Sequence, residues 1–510
     1  MAEYGIANVK TSSTDKDASS AFLKYADFSH YADYFNGMED ENIVQAIPNE
    51  KASEWMEENI PLFECPQHNF EEMYYYRWWS LRKHIKETPV GYGMTEFLVQ
   101  RSYSDKYNLI ACAIGHHIYE SRWLRDPKYL DQIIHTWYRG NDGGPMKKMD
   151  KFSSWNADAV LARYMVDGDK DYLLDMKKDL ETEYQRWERT NRLKNGLYWQ
   201  GDVQDGMEES ISGGRRKKYA RPTINSYMYG NAKALSCIGI LSGDEGMAMK
   251  YGMRADTLKN LVENELWNTR HQFFETMRTD SSANVREAIG YIPWYFNLPD
   301  TTQKYEIAWK EIMDEKGFSA PYGLTTAERR HPEFRTRGVG KCEWDGAIWP
   351  FASAQTLTAM ANFMNNYPQT VLSDSVYFRQ MELYVESQYH RGRPYIGEYL
   401  DEVTGYWLKG DQERSRYYNH STFNDLIITG LIGLRPRLDN TIEVNPLIPA
   451  DKWDWFCLDN VLYHGHNLTI LWDKNGDRYH CGKGLRIFVD GKEVGQANTL
   501  TKIVCENALK

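Results

Sequence analysis

Two stretches of the chain gather carboxylates, glycines and aromatic rings in a way that suits acid/base chemistry. The first is Trp199-Gln-Gly-Asp-Val-Gln-Asp-Gly-Met-Glu-Glu-Ser-Ile-Ser-Gly-Gly, where Asp202, Asp205, Glu208 and Glu209 stand among glycines between two helical regions. The second is Arg393-Pro-Tyr-Ile-Gly-Glu-Tyr-Leu-Asp-Glu-Val-Thr-Gly-Tyr-Trp, where Glu398, Asp401 and Glu402 alternate with aromatics. Both read as loops, and loops on a rigid scaffold are common places for reacting groups. Cleaving a glycosidic bond takes a protonated carboxyl to assist the departing oxygen and an ionised carboxylate to activate water or attack the anomeric carbon. Two facing acidic loops supply that minimum if unequal surroundings, such as nearby tryptophans, hold one pKa high and leave the other low.

The elements that must position these loops are mostly helical. Apolar residues recur at three- and four-residue spacing through most of the first 435 residues, as in Ile110, Ile114 and Ile118. The pattern predicts helices near 68–85, 104–124, 127–139, 152–167, 170–190, 224–242, 245–266, 302–314, 348–366, 371–389 and 418–433. Short connections favour antiparallel neighbours, so the series suggests helical hairpins closing into a ring rather than a doubly wound sheet. After Gly433 the pattern changes to short β-prone runs: Thr441–Val444, Asn467–Trp472 and Leu485–Val489. The steps Asn475-Gly476 and Asp490-Gly491 are expected hairpin turns, because glycine tolerates the positive φ they require. The division expected is therefore a helical catalytic domain over 1–435, with an N-terminal helical extension, and a β domain over 436–510.

Composition narrows the partners. The 510 residues carry 61 basic and 72 acidic side chains, a formal charge of −11, and the only basic run is Arg215–Lys218, read as a solvated loop. Nucleic acid and anionic membranes are not expected partners. Seven widely spaced cysteines show neither a CxxC pair nor zinc-like spacing with histidine. The N-terminus lacks a signal-peptide pattern, and no stretch approaches the roughly 18 apolar residues of a membrane span. The chain reads as soluble, periplasmic or extracellular if an export signal has been removed and cytoplasmic otherwise. His116, His117 and Glu120 share a helix face, but no further ligand at suitable spacing joins them, so a core role is favoured and neither metal nor cofactor is expected.

These segments resemble the six-hairpin glycosidases, the clan of trehalases, processing α-glucosidases and mannosylglycerate hydrolases, and most nearly its mannosylglycerate-hydrolase-like branch in glycoside hydrolase family 63. Asp205-Gly-Met-Glu-Glu-Ser resembles the clan's acid motif and places the general acid at Glu208, with Asp205 as the alternative. Ile396-Gly-Glu-Tyr-Leu-Asp-Glu-Val-Thr-Gly resembles the base motif and places the base at Glu398. Phe70-Glu-Glu-Met-Tyr-Tyr-Tyr resembles the trehalase signature Phe-x-Glu-x-Tyr-Tyr-Trp, and Glu343-Trp-Asp-Gly-Ala-Ile-Trp-Pro resembles Trp-Arg-Gly-Pro-Ile-Trp-Pro. The resemblance implies a mainly α (α/α)6 barrel with a small C-terminal β-sandwich-like domain, and substrate contacts at Glu72, Tyr75, Arg77, Trp78, Trp344, Asp345 and Trp349. Arg77 stands where the trehalase signature has a sugar-binding aspartate, which turns the expectation away from trehalose. Asn225, Tyr227 and His420 are further candidates, each with a structural alternative at a helix start or a backbone carbonyl.

The expected activity is exo-acting, inverting hydrolysis of a terminal α-linked, gluco-type sugar from an oligosaccharide or small glycoside. An inverting phosphorylase is the first rival, distinguished by phosphate-dependent release of a sugar phosphate. The second, a non-catalytic sugar-binding protein, would bind sugar without hydrolysing it.

Overall fold

The computed structural model describes residues 22–509; positions 1–21 of the expected helical domain and Lys510 of the expected β domain lie outside the described residues. Two short helices, α1 (Ser29–Asn36) and α2 (Ala52–Asn59), pack against α3 (His68–Arg82). From there the chain runs as successive pairs, an outer member and then an inner one. They are α3 with α4 (Ile114–Ser121), α5 (Lys128–Arg139) with α6 (Asn156–Asp167), and α7 (Lys170–Asn191) with α8 (Pro222–Ser242). Then come α9 (Glu245–Leu261) with α10 (Ile292–Tyr295), the 3₁₀ segment Glu306–Ile312 with α11 (Pro350–Asn366), and α12 (Asp374–Glu386) with α13 (Asn424–Leu426). α4 touches α6, α6 touches α8, α8 touches α10, α10 touches α11, α11 touches α13, and α13 returns to α4. The inner members thus close the ring of an (α/α)6 barrel.

Local chemistry explains the hairpins. α6 ends on Gly168 at φ 72 and α8 on Gly243 at φ 72, and in each case the next residue, Asp169 or Asp244, caps the following helix through its carboxylate. A left-handed glycine followed by an N-capping aspartate turns the chain in two residues. Outer α7 buries one stripe, Leu173, Met176, Leu180, Tyr184 and Trp187, whereas inner α8 and α11 are buried on most faces. Close approach within the ring needs small residues: a Cβ on Gly115 in α4 would lie 2.1 Å from the Trp155 ring, just ahead of α6.

Three expected helices are altered. The 302–314 segment is 3₁₀, the 104–124 segment becomes α-helical only at Ile114, and the 418–433 segment shortens to Asn424–Leu426 followed by a π turn over Ile427–Leu431. Tyr107 and Asn108, both at positive φ, break the second of these. In the third, residues 418–423 give their backbone hydrogen bonds to neighbouring segments instead of to a helix.

The C-terminal β part is a five-stranded antiparallel sheet ordered Leu62–Glu64, Trp455–Tyr463, His466–Asp473, Gly484–Val489 and Lys492–Ala497. Its edge strand comes from the N-terminal part of the chain. Ile442–Val444 pairs separately with Ile503–Cys505. Asp490-Gly491 forms the expected tight turn, at φ 47 and 76. Asn475-Gly476 does not: it lies inside the longer loop between Asp473 and Gly484, where the Asp473 carboxylate accepts the N–H groups of Gly476, Arg478 and Tyr479. A turn not anticipated, His464-Gly465, joins the two longest strands. Among the described residues no helix is long and apolar enough to cross a membrane.

Because no room exists for a methyl group between Gly115 and Trp155, Gly115→Ala is expected to cost about 1–3 kcal/mol. Urea unfolding followed by tryptophan fluorescence measures it, and an unchanged midpoint would show that the ring accommodates the side chain freely.

Candidate active site

The first acidic loop is tied down at its base. Its arms, Trp199–Gln200 and Tyr219–Ala220, pair as a short hairpin leading into α8. Asp205 is buried: it takes the Arg221 Nε at 2.6 Å and the hydroxyls of Thr223 and Ser153, and neither it nor Arg221 has an exposed side chain. Arg337 Nη1 holds the carbonyls of Ser210 and Ile211 at 3.2 and 2.7 Å. Between these anchors the chain passes through Gly206 at φ 73, packed on the Cys112 sulfur, and presents Glu208. Burial raises the Glu208 pKa to about 7; its own backbone N–H opposes this, and the nearby charge of Glu398 adds to it.

The second loop is built differently. A Cβ on Gly397 would lie 2.7 Å from both Trp407 and Tyr395, so the turn before Glu398 is open only to glycine. Ser415 Oγ accepts the Glu398 N–H at 3.2 Å, and Leu400 bridges to both Ile348 and Trp407. The buried Glu398 carboxylate faces two cations, Arg414 Nη2 at 3.0 Å and Lys409 Nζ at 3.4 Å. Beyond it, Arg335 gathers Glu343, Glu402 and Asp401 at 2.7, 2.5 and 3.4 Å. That network anchors the loop in place of the Asp-Pro found in the resembled motif.

Aromatic rings wall this side. Trp344 stacks on Trp349 at 4.3 Å and Trp349 on Tyr399 at 4.5 Å. His420 sits 6.2 Å from Trp349 and 3.9 Å edge-on from Tyr418. Burial keeps its pKa well below the usual range, and neither ring nitrogen meets hydrogen-bond geometry with a partner among the described residues. Trp344, Trp349, Tyr399 and His420 thus pack together beside Glu398, and Glu208 is near enough to feel the Glu398 charge.

The other candidates bond or pack largely within the scaffold. Tyr75 OH bonds both the N–H and the carbonyl of Phe63, holding the edge strand of the sheet. Glu72 accepts from Tyr389 OH at 2.7 Å, and Trp78 is fully buried against Tyr74. Arg77 spends its guanidinium on Gln388 Oε1 and on the carbonyl and hydroxyl of Ser421. Asn225 is used up on Tyr198 and the Arg221 carbonyl, and Tyr227 OH accepts from Gln355 beneath Trp155. Asp345 Oδ2 takes the N–H groups of Arg337 and Gly338, while its buried Oδ1 has no hydrogen-bond partner among the described residues. A motif match identifies a segment, but hydrogen-bond saturation decides whether a side chain is left for substrate.

His116, His117 and Glu120 diverge to separate partners: His116 packs on Trp155 and Phe351, His117 bonds the Asn419 carbonyl, and Glu120 caps α13. Among the described residues no group of His, Cys, Asp and Glu is placed to hold a metal. Arg414, Lys409, Arg335 and Arg221 escaped sequence reasoning, because nothing in a lone charged residue marks which distant carboxylate it meets.

Residues 106–421 match the mannosylglycerate hydrolase MGH1-like glycoside hydrolase domain, and residues 434–495 match the C-terminal domain of glycosyl hydrolase family 65. A solved structure named sialidase is 95% identical, with a TM-score of 0.96 over 98% of this chain, and this chain covers 46% of it. The mannosylglycerate hydrolase of Thermus thermophilus, in complex with glucose, is 13% identical over 70% of this chain and 99% of its own, with a TM-score of 0.51. A rhamnosidase of glycoside hydrolase family 78 from a Bacillus species is 11% identical over 84% of this chain and 41% of its own, with a TM-score of 0.56.

Removing Arg221 would strand Asp205 as a buried, unpaired charge, so Arg221→Met is expected to cost about 3–5 kcal/mol, and adding Asp205→Leu is expected to recover much of it. Denaturant titration of the two variants tests this. A single-variant loss below about 1 kcal/mol would mean that the pair does not anchor the loop.

Proposed function

The chain belongs to the mannosylglycerate hydrolase MGH1-like glycoside hydrolases, and from that premise we propose that it is an exo-acting, inverting hydrolase in which Glu208 is the general acid and Glu398 the general base. The observation that carries the assignment is the contrast between the two carboxyls. Glu208, half-buried and with its pKa raised to about 7, keeps a proton to give to a leaving oxygen near neutral pH. Glu398, set against Arg414 and Lys409, is the carboxylate available to take a proton from water on the other side of the sugar. Asp205 is a poor donor, because Arg221, Thr223 and Ser153 occupy its oxygens. Trp344, Trp349, Tyr399 and His420 supply an apolar and polar wall for a terminal sugar. A gluco-type residue in α linkage at the end of an oligosaccharide or small glycoside is the substrate we favour.

The base carboxylate argues for water over phosphate as the acceptor. The name of the 95% identical structure favours a second reading, release of a sialic acid. Sialidases as a class attack with a tyrosine rather than through a carboxylate pair, and this chain covers 46% of the one so named.

A panel of α- and β-glucosides, α-mannosides, α-rhamnosides and an α-sialoside, with NMR of the first-formed anomer, tests substrate and stereochemistry together. An α-glycoside should yield the β anomer first; the α anomer would refute inversion. Glu208→Gln and Glu398→Gln should each lower kcat by about 10²–10⁴ while the protein stays folded. Near-normal turnover in Glu208→Gln together with its loss in Asp205→Asn would move the acid to Asp205.

The pH profile carries a sign. A proton donor is active below its pKa, so kcat/KM, which follows the substrate-free enzyme, should fall as pH rises through about 7, the value to which burial and Glu398 lift Glu208. An alkaline limb that survives Glu208→Gln in the residual activity would belong to another group.

A further inference from the structure

Thr95, Glu96 and Phe97 are buried beside residues 418–419, outside both acidic loops. Asn419 donates its N–H to the Glu96 carbonyl at 2.9 Å and its side-chain amide to the Thr95 carbonyl at 3.2 Å. The residue before it, Tyr418, donates its N–H to the Ile396 carbonyl at 3.2 Å, two positions ahead of Glu398. Residues 418–419 are therefore a seam, with the Glu96 segment on one side and the Glu398 segment on the other.

The Glu96 side chain turns onto that seam. Its Oε1 lies 2.6 Å from Tyr418 OH, and the Tyr418 ring packs at 3.9 Å against His420 and at 4.4 Å against Phe97. Glu96 is 5% exposed, and its second oxygen, Oε2, is buried with no hydrogen-bond partner among the described residues. Buried polar atoms in folded proteins are nearly always paired, so an orphaned carboxyl oxygen beside a candidate site calls for a partner. Burial first, then the charges of Glu398 and Glu208, raise the Glu96 pKa to about 8 against the lowering effect of the Tyr418 hydroxyl.

We propose that Glu96 is a substrate-binding residue of this pocket, whose Oε2 hydrogen-bonds one hydroxyl of the sugar held beside Glu398 and thereby selects sugars that carry that hydroxyl. The proposal rests on the pocket assigned above. A neutral carboxyl suits the task, since Oε1 accepts from Tyr418 OH while a proton on Oε2 is donated to the sugar hydroxyl. A third negative charge would instead oppose Glu398 and hold the Glu208 proton more tightly. Tyr418 occupies Oε1 and fixes the rotamer, leaving Oε2 for the ligand. A site built to pair with a hydroxyl discriminates strongly against an analogue that lacks it, because its own polar group is then left unpaired.

Calorimetric titration of the full chain with D-glucose, D-mannose, L-rhamnose and N-acetylneuraminic acid, followed by the monodeoxy derivatives of whichever sugar binds, tests this. Wild type should bind one monodeoxy derivative at least about tenfold more weakly than the parent sugar. Glu96→Ala should bind the parent about tenfold more weakly and lose that one discrimination. Glu96→Gln, which can still donate and accept, should restore part of it. A merely structural role would lower stability without erasing selectivity at a single hydroxyl. If Glu96→Ala keeps the full wild-type pattern while Glu398→Ala changes it, the role of Glu96 is overturned and the pocket stands. If wild type binds none of the sugars, or if neither variant changes the pattern, both are overturned.

Discussion

The first and last inner helices of the ring meet through one buried carboxylate. Glu120, near the end of α4, accepts the backbone N–H groups of Phe423, Asn424 and Asp425 at 2.9–3.2 Å, so that a side chain of one helix caps the start of another more than 300 residues later. Arg122 and Trp123 then bond the Asp425 carboxylate, and His117 takes the Asn419 carbonyl. A helix start leaves several N–H groups without partners, and a buried start is tolerable only if something supplies acceptors. Burial raises the Glu120 pKa to about 6, against the lowering effects of Arg77 and of the N–H groups it receives. Closing the ring here fixes residues 414–423 and, with them, Arg414, Ser415, Tyr418 and His420.

From that closure follows an ordering of charge. Glu398 receives its cations from residues 409 and 414, just ahead of the capped helix, so the last hairpin supplies both the carboxylate and its counter-charges. The acid loop enters from the opposite side of the sequence, and its buried ion pair, Asp205 with Arg221, is consumed internally. Glu208 is therefore left without a cation at bonding distance, in surroundings that penalise its charged form. In the proposed mechanism, carboxyls of like chemistry acquire unlike roles because the fold spends its arginines unevenly.

Much of this was legible from residue order. Helical periodicity located nearly all the barrel segments, and the Gly-Asp steps at 168–169 and 243–244 are turn chemistry that any sequence displays. The change to β structure after Gly433 was legible too, but the strand Leu62–Glu64 was not, because three residues carry no period and their partner lies almost 400 residues away. The 418–433 segment misled for a similar reason: its apolar spacing is helical, yet Glu120 fixes the helix start at 424 and the preceding backbone pairs elsewhere. At the site, glycine-rich acidic loops announced themselves, whereas Glu96 did not. It sits in Met-Thr-Glu-Phe-Leu, an unremarkable edge whose meaning comes only from Tyr418 and Asn419 folding onto it.

Arg77 shows how a departure from a motif can be read once the structure is known. The resembled trehalase signature has a sugar-binding aspartate at this position. Here the guanidinium faces Gln388 Oε1, the Ser421 carbonyl and the Ser421 hydroxyl, and lies over the Phe423 ring. An aspartate in the same place would set acceptor against acceptor and leave buried oxygens unpaired, so the arginine is matched to its neighbours and not an isolated change. Its work is to hold the turn that presents His420 and leads into the helix capped by Glu120. With that position committed to the scaffold, the proposed mechanism leaves recognition of the sugar to the Trp344, Trp349 and Tyr399 stack, to His420 and to the segment that carries Glu96.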